Sequence, residues 1–287
     1  MSESSSVEQR CYRHPDREAY IRCQRCERLI CPDCMRDASV GFQCPSCIAE
    51  GANSVRTPRT IAGGIVSARP GVATFTIIGV NVVVFLLTLA WGGTRGTLFD
   101  GGAMIAQTAQ DASGNVLTGV SDGGYWRLLT AAFLHSGAGH LIFNMFTLVL
   151  FGPMVEQILG VRRFVAAYLT TAIGSSVFVY WLSPPLTPTI GASGAVFGVL
   201  GLTLVLLIRT GNDLRGLLVL LAINAFYSLR PGISWEGHLG GFVVGVVLGA
   251  VLAYAPRENR TTWQVGGFVV VWVAMLIAVL LRTAQLS

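Results

Sequence analysis

Long apolar runs dominate the chain from about residue 70 onward, whereas the first 60 residues are mostly polar. A membrane-spanning helix needs roughly 20 apolar residues. Seven runs fit this requirement, and they predict spans at about 72–91, 138–155, 164–182, 192–208, 214–229, 235–254 and 263–281. The runs are too numerous, too long and too free of charge to be buried helices of a soluble protein. We therefore expect an all-α polytopic membrane protein.

Composition divides the chain into unlike parts. It has 287 residues, of which 52% are hydrophobic and 12% charged, against about 25% charged in soluble domains. Residues 1–60 hold nine of the 20 basic residues, eight of the 15 acidic ones and all seven cysteines. We expect a cytosolic head at 1–50, a linker at 51–70, a membrane core at 71–260 and a further helix at 261–287. The head's charge is nearly balanced, so nothing indicates nucleic-acid binding.

Arginine placement predicts the orientation, since every basic residue is an arginine. With the N-terminus inside, the inner segments beyond the head carry nine arginines and the outer segments four, as the positive-inside rule requires. The opening "MSESSSVEQR" has neither the apolar core nor the cleavage site of a signal peptide. We expect a multi-pass protein of the cell membrane with its N-terminus in the cytosol and its C-terminus outside.

Polar side chains recur at one depth of the predicted bundle. The second, fourth and sixth spans all run from outside to inside. His140 and Asn144 lie in the first turns of the second span, Ser193 in the first turn of the fourth and His238 in the first turn of the sixth. Three segments that are distant in sequence therefore place these groups in one layer, just below the outer face.

Glycines recur in the fourth and sixth spans with helical spacing. They are Gly194, Gly198 and Gly201 in the fourth span, and Gly237, Gly241, Gly245 and Gly249 in the sixth. Stripes of small residues allow membrane helices to touch backbone to backbone. Helix packing alone accounts for these glycines, but it does not account for a serine and a histidine at the same depth.

The polar layer contains the groups that acyl transfer needs. A serine nucleophile requires a base within hydrogen-bond reach, and His238 is the only histidine in the last five predicted spans. The Asn144 amide, the His140 ring N–H and the free backbone N–H of Ser193 are candidate donors to a developing oxyanion. None of the acids beyond the head, Glu236 included, is placed to orient His238. The pattern predicts a Ser–His dyad rather than a triad.

Three segments together resemble the rhomboid intramembrane serine proteases: "YWRLLTAAFLHSGAGHLIFNMFTLVLFG", "GASGAVFG" and "GHLGG". The resemblance covers roughly residues 70–260. The family's nucleophile matches Ser193, its base His238, and its oxyanion contributors His140, Asn144 and the Ser193 amide. The other matching motif positions, to which we assign supporting roles, are Trp126, Arg127, His135, Gly191, Gly194 and Gly241.

The resemblance implies a six-helix bundle, to which this chain adds a C-terminal helix. It also implies hydrolysis of a peptide bond in or near the membrane segment of a protein substrate, within the lipid bilayer and without a catalytic cofactor. The alternative is a catalytically silent rhomboid-like protein that binds membrane-protein clients, against which the intact Ser193 and His238 pair argues. A transporter would need charged or broken helices at mid-membrane, and the sequence does not indicate them.

The head carries eight metal-ligand residues in four pairs, spaced C-x2-H-x8-C-x2-C-x4-C-x2-C-x9-C-x2-C. They are Cys11, His14, Cys23, Cys26, Cys31, Cys34, Cys44 and Cys47. Cytosolic thiols stay reduced, and a structural zinc site takes four such sulfur or nitrogen ligands. We therefore expect two structural zinc ions in closed, non-catalytic sites.

The ligand pattern resembles B-box-type zinc fingers, whose ligand pairs interleave. On that model one site is formed by Cys11, His14, Cys31 and Cys34, and the other by Cys23, Cys26, Cys44 and Cys47. Sequential pairing stays open, because the spacing does not decide between the two. The head is either a small module folded by its metal or a docking platform for a cytosolic protein partner.

Overall fold

The computed structural model describes residues 9–54, 59–65, 69–111 and 114–286. The chain divides into two compact units between residues 58 and 59. The first unit contains the strands β1 (Ile21–Arg22), β2 (Leu29–Ile30), β3 (Arg36–Asp37) and β4 (Phe42–Gln43) and the helix α1 (Pro45–Ser54). β1 pairs with β2 and β3 with β4, both antiparallel. Six of its cysteines are buried with Ala19 and Ile30, so metal ligands replace much of an apolar core.

The second unit is built from helices that pack around a central one. Its helices are α2 (Val72–Ala90), α3 (Thr97–Gly102), α4 (Arg127–Thr130), α5 (Ala138–Leu159), α6 (Val161–Leu182), α7 (Ser193–Thr210), α8 (Arg215–Ser228), α9 (Trp235–Tyr254) and α10 (Arg260–Leu286). Among the described residues of this unit, one β-hairpin pairs β5 (Ala109–Gln110) with β6 (Val116–Leu117). α7 is the most buried of the long helices (67%) and α10 the least (17%). Hence α7 is the centre of the bundle and α10 lies at its edge.

Six helices in the described chain are long and apolar enough to cross a membrane: α2, α5, α6, α7, α9 and α10. The fifth predicted span, 214–229, agrees with α8 within one residue at each end, although α8 is shorter than these six helices. α8 has 14 residues, or about 21 Å at 1.5 Å per residue, against a hydrocarbon core of about 30 Å. It starts shortly after α7 ends, and its last residue, Ser228, meets His238 in the first turn of α9. α8 therefore extends only to the depth of His238.

The glycine stripes of α7 and α9 face each other, and these two helices make the most extensive interhelical contact in the described chain. An ideal Cβ added to Gly241 would collide with the carbonyl oxygen of Gly194, and one added to Gly245 would collide with that of Gly198. The two backbones can approach this closely only because these positions carry no side chain.

A buried carboxylate joins α5 to the start of α2. Glu156 is 1% exposed and accepts hydrogen bonds from the backbone N–H groups of Ala73 (3.1 Å) and Thr74 (2.9 Å) and from the Thr74 hydroxyl (2.8 Å). A helix N-terminus has unpaired N–H groups and a positive dipole end. This acid, which lies next to one of the apolar runs, thus caps α2.

The predicted linker at 51–70 is not uniform. Residues 51–54 belong to α1. Residues 59–65 belong to the second unit, where Ala62 is fully buried and its carbonyl accepts a hydrogen bond from Gln264 at 2.9 Å. The remainder of the linker includes residues 55–58 and 66–68, which lie outside the described residues.

Candidate active site

The start of α7 is held against the start of α5. Gly191 has a φ of +125°, and an ideal Cβ added to it would lie 2.8 Å from Nε2 of His140. Both the backbone conformation and the neighbouring ring therefore require glycine there. Ala192 is fully buried in one cluster with Leu141 and Met145 of α5. Ser193 follows as the first residue of α7, facing the layer that contains His140.

Donors without partners surround this helix start. Asn144 is 3% exposed, and its Nδ2 has no hydrogen-bond partner among the described residues. No side chain caps α7, so the N–H groups of its first turn, that of Ser193 included, lack intrahelical acceptors. Leaving a buried donor unpaired is costly. Donors of this kind can receive a negatively charged oxygen.

His238 lies on the face of α7 that carries Ser193. Its ring stacks on Phe197, with the centroids 4.3 Å apart and the planes 10° from parallel. Phe197 is one helical turn after Ser193 and so shares its face. No direct hydrogen bond joins Ser193 to His238 in the described structure, as is common for catalytic pairs before substrate binds. The structure thus brings these two predicted residues to the same side of α7.

A neighbour of His238 that the sequence had not indicated is Ser228, at the end of α8. Its Oγ lies 2.6 Å from Nδ1 of His238. Ten residues and a loop separate the two in sequence, so no helical spacing pointed to this contact. Phe197 could have been found, because a residue four positions after the serine shares its face.

An apolar cavity of about 290 Å³ opens beside His238. Its walls come from three helices and the turns between them. They are Phe197 of α7, Leu221, Ala225 and Ser228 of α8, Leu229, and Trp235, His238, Leu239 and Phe242 of α9. The cavity lies between α8 and the α7 and α9 pair, and the Ser228 hydroxyl and the His238 imidazole are polar groups in a mostly apolar wall.

The remaining motif residues lie around the layer. Arg127 is 2% exposed and donates to the carbonyls of Thr118 and Asp100, each at 2.7 Å, so it ties together the segment before α5. Trp126 is half exposed and donates from its ring nitrogen to a backbone carbonyl of α3. His135 is buried, with no partner for its ring nitrogens in the described chain, and packs edge-on against His140 with centroids 5.1 Å apart.

The eight ligands of the head form two clusters, each with its ligand atoms within 4.8 Å of one another. One consists of Cys11, His14, Cys31 and Cys34, and the other of Cys23, Cys26, Cys44 and Cys47. This is the interleaved grouping. Each cluster is a four-ligand sulfur or sulfur–nitrogen set, which suits tetrahedral zinc.

The electrostatics of the first cluster also favour a cation. Burial raises the pKa of the Cys11 thiol, but backbone hydrogen bonds outweigh burial and lower it to about 6. Burial and the adjacent Cys11 raise the pKa of Cys34 to about 11. One thiolate thus forms easily and opposes a second beside it. A bound metal ion removes that conflict by stabilising both as thiolates.

Models of known protein families match both units of the chain. The Rhomboid domain model matches residues 122–255, and the B-box zinc finger model matches residues 6–39, a range that ends before Cys44 and Cys47.

Three relatives are each 34% identical to this chain. "Putative rhomboid protease YdcA" of Bacillus subtilis aligns over 50% of this chain and 74% of its own length. "RHOMBOID-like protein 6, mitochondrial" of Arabidopsis thaliana aligns over 49% of each chain. "Rhomboid protease GluP" of Bacillus subtilis aligns over 62% of this chain but only 34% of its own length. With Ser193, His238 and Asn144 gathered at the start of three helices inside the matched region, the chain belongs to the rhomboid family.

Proposed function

We propose that the protein is an intramembrane serine endopeptidase that hydrolyses peptide bonds in or near the membrane segments of other proteins. The observation that carries the proposal is the position of His238. Its ring stacks on the face of α7 that carries Ser193, while the unpaired donor of Asn144 is on α5, next to Met145, which packs against Ala192. Nucleophile, base and oxyanion donor are the three parts that acyl transfer requires.

In the proposed reaction Ser193 Oγ attacks the carbonyl carbon of the scissile bond, and Nε2 of His238 takes the hydroxyl proton. The tetrahedral intermediate collapses with cleavage of the C–N bond, and His238 delivers the proton to the leaving amine. Water then attacks the acyl-enzyme by the same route, which releases the carboxylate product and regenerates Ser193. The protein groups perform every step as acid, base or nucleophile.

The negative charge of the intermediate develops on the former carbonyl oxygen. Asn144 Nδ2, the Ser193 backbone N–H and Nε2–H of His140 are the proposed donors. Nδ1 of His140 lies 3.2 Å from Ser136 Oγ. When that hydroxyl donates to Nδ1, the ring proton is on Nε2, the nitrogen that faces Gly191. Donors fixed in advance around a developing charge commonly supply the largest catalytic term.

Substrate selection follows from the surroundings of His238. The apolar cavity beside it suits an apolar side chain of a membrane segment, because a polar side chain there would lack hydrogen-bond partners. The helices around the site are apolar enough to lie in a bilayer. We propose that the site faces the outer side and that the N-terminus lies in the cytosol, in keeping with the arginine distribution. We also propose that the head binds two structural zinc ions and that the folded head docks a cytosolic protein partner.

The test is cleavage of a model membrane substrate by the purified protein in detergent. Ser193→Ala and His238→Ala should each abolish cleavage, and the double variant should be no worse, because the two residues act as a unit. Ser176→Ala, which removes another buried serine of the bundle, is the matched control and should cleave normally. A serine-directed fluorophosphonate should label the wild type and the control but not Ser193→Ala.

The alternative, a silent client-binding protein, predicts a different result. The wild type would then bind the substrate without cleaving it, and the fluorophosphonate would not label Ser193. Cleavage at the wild-type rate by Ser193→Ala would contradict the proposed mechanism directly.

A further inference from the structure

The Ser228 hydroxyl already donates its proton to a backbone carbonyl of its own helix. Ser228 Oγ donates to the backbone carbonyl of Asn224 at 2.7 Å and lies 2.6 Å from Nδ1 of His238. A serine hydroxyl carries one proton, and a carbonyl oxygen can only accept. The Ser228 oxygen must therefore accept at its second contact, so the proton between Ser228 and His238 belongs to Nδ1.

We infer that Ser228 is a positioning residue that keeps His238 in the tautomer with Nδ1 protonated and Nε2 free to act as the base. In serine hydrolases with a full triad a carboxylate occupies this place and has this role. Here a neutral hydroxyl, oriented by the backbone of its own helix, replaces it. Stacking on Phe197 fixes the plane of the ring, and Ser228 fixes its rotation within that plane. This inference rests on the proposed function.

The contact between Ser136 and His140 shows the opposite arrangement. Ser136 has no second acceptor among the described residues, so its proton is free for Nδ1 of His140. When Ser136 donates to Nδ1, His140 carries its ring proton on Nε2, as an oxyanion donor requires, whereas the Ser228 contact leaves Nε2 of His238 free for a base. The difference arises from the Asn224 carbonyl, which only Ser228 has within reach.

The test combines kinetics with a direct view of the ring. Ser228→Ala should lower kcat roughly 2- to 10-fold, as expected for the loss of one neutral hydrogen bond, with KM little changed. Ser228→Thr keeps a hydroxyl and should restore kcat. Thr88→Ala is the control: it removes a buried hydroxyl that also bonds to a carbonyl four residues earlier, at 2.8 Å, but on α2, and it should leave kcat unchanged.

Nitrogen NMR of the histidine rings supplies a readout that does not depend on activity. The chain has four histidines, so the His238 signal can be assigned from its loss in His238→Ala. The wild type should show a protonated Nδ1, and Ser228→Ala should show mixed tautomers. A protonated Nε2 in the wild type, or an unchanged kcat in Ser228→Ala beside an active wild type, would overturn the inference. An inactive wild type with the expected ring signal would instead contradict the proposed function.

A different observation concerns the opposite end of the bundle, where three arginines converge on Gly63. Arg59 donates from Nη1 to the Gly63 carbonyl at 3.2 Å. An ideal Cβ on Gly63 would lie 3.0 Å from Nη1 of Arg260 and 3.7 Å from Nη2 of Arg163. Three separate segments thus place guanidinium groups around one backbone position.

No carboxylate in the part of the chain that the structure describes lies within 4.0 Å of these guanidinium groups. Arg163 is in the first turn of α6 and Arg260 opens α10, so both also lie at the positive ends of helix dipoles. Gln264, which is 4% exposed, accepts a hydrogen bond from Nε of Arg163 at 2.7 Å and so orients that side chain. The like charges repel one another, and a bound anion would relieve that repulsion.

We propose that the three arginines bind the phosphate of an anionic membrane lipid. Guanidinium groups bind phosphate oxygens in pairs. Basic pockets between membrane helices at the cytosolic side are typical headgroup sites. The cluster lies where two long apolar helices begin, the level at which a lipid phosphate meets protein.

Thermal unfolding in a neutral detergent tests the proposal, with phosphatidylglycerol, phosphatidylcholine or inorganic phosphate added. Phosphatidylglycerol should stabilise the wild type more than phosphatidylcholine does. Arg260→Gln and Arg59→Gln should each weaken its apparent affinity about fivefold, from roughly 1 kcal/mol per interfacial charge. Arg209→Gln is the control, because Arg209 lies at the same end of the bundle but over the ring of Tyr254.

The control arms decide between the possible sources of the phosphate. Stabilisation by inorganic phosphate at similar concentration would assign the site to free phosphate and overturn the lipid assignment. Equal effects of both lipids, or an equal loss of affinity in Arg209→Gln, would show only general attraction to charge and would also overturn it.

Discussion

Gly241→Ala should damage the active site through backbone contact alone. An ideal Cβ at this position would lie 1.8 Å from the carbonyl oxygen of Gly194, while real Cβ atoms essentially never come within 3.0 Å. The neighbouring atom is backbone and cannot rotate away. The difference between those distances means that α9 must retreat from α7 by about 1.2 Å. His238 is one turn from Gly241 on α9, and Gly194 directly follows Ser193, so the retreat separates base from nucleophile.

The magnitude follows from that displacement. A misplacement of about 1 Å in a catalytic group can cost roughly 100-fold in rate, and overpacking of a close-packed contact costs about 1–3 kcal/mol of stability. We expect kcat for a model membrane substrate to fall by about two orders of magnitude in Gly241→Ala, with a lower Tm in detergent. The assay is cleavage at a temperature where the variant is still folded.

Two helical glycines that have open space around them serve as controls. Gly79 in α2 and Gly266 in α10 have nothing within 4 Å of an added Cβ, and alanine is the better helix former by about 1 kcal/mol. Gly79→Ala and Gly266→Ala should therefore retain full activity and unfold at the same temperature or higher. Wild-type activity in Gly241→Ala, or equal losses in the controls, would refute the link between the helix contact and catalysis.

Three further predictions concern single functions. Asn144→Ala should lower kcat about 10²–10³-fold, as removal of one oxyanion donor does, with KM little changed; an effect on KM alone would make Asn144 a binding residue. Glu156→Gln should lower the free energy of unfolding by about 1.5–3 kcal/mol, because a charged acceptor at the start of α2 is lost; chemical denaturation measures it, and an unchanged midpoint would contradict the capping role. Protein truncated to begin at Arg59 should cleave a model substrate at the wild-type rate with or without a zinc chelator. Chelation of the full-length protein should raise the rate of amide hydrogen exchange in the head alone. Loss of activity on truncation or on chelation would show that the head is coupled to catalysis.

The sequence by itself determined the membrane class, the two-part organisation and most of the candidate site. Apolar runs of spanning length report on burial in lipid directly, because every backbone polar group there must be satisfied within its own helix. The spacing of the metal-ligand pairs within a short segment likewise predicts zinc sites. The shared direction of three helices predicts that Ser193, His238 and Asn144, near their starts, lie at one depth. These are properties of single segments and of their direction.

Contacts between segments were decided only by the tertiary structure. The contact of Ser228 with His238 depends on how a loop returns α8 to α9. The convergence of Arg59, Arg163 and Arg260 depends on the packing of segments up to about 200 residues apart. The sequence pattern within a segment predicts which face of its helix is apolar. It does not predict which polar atom of another segment will contact that face.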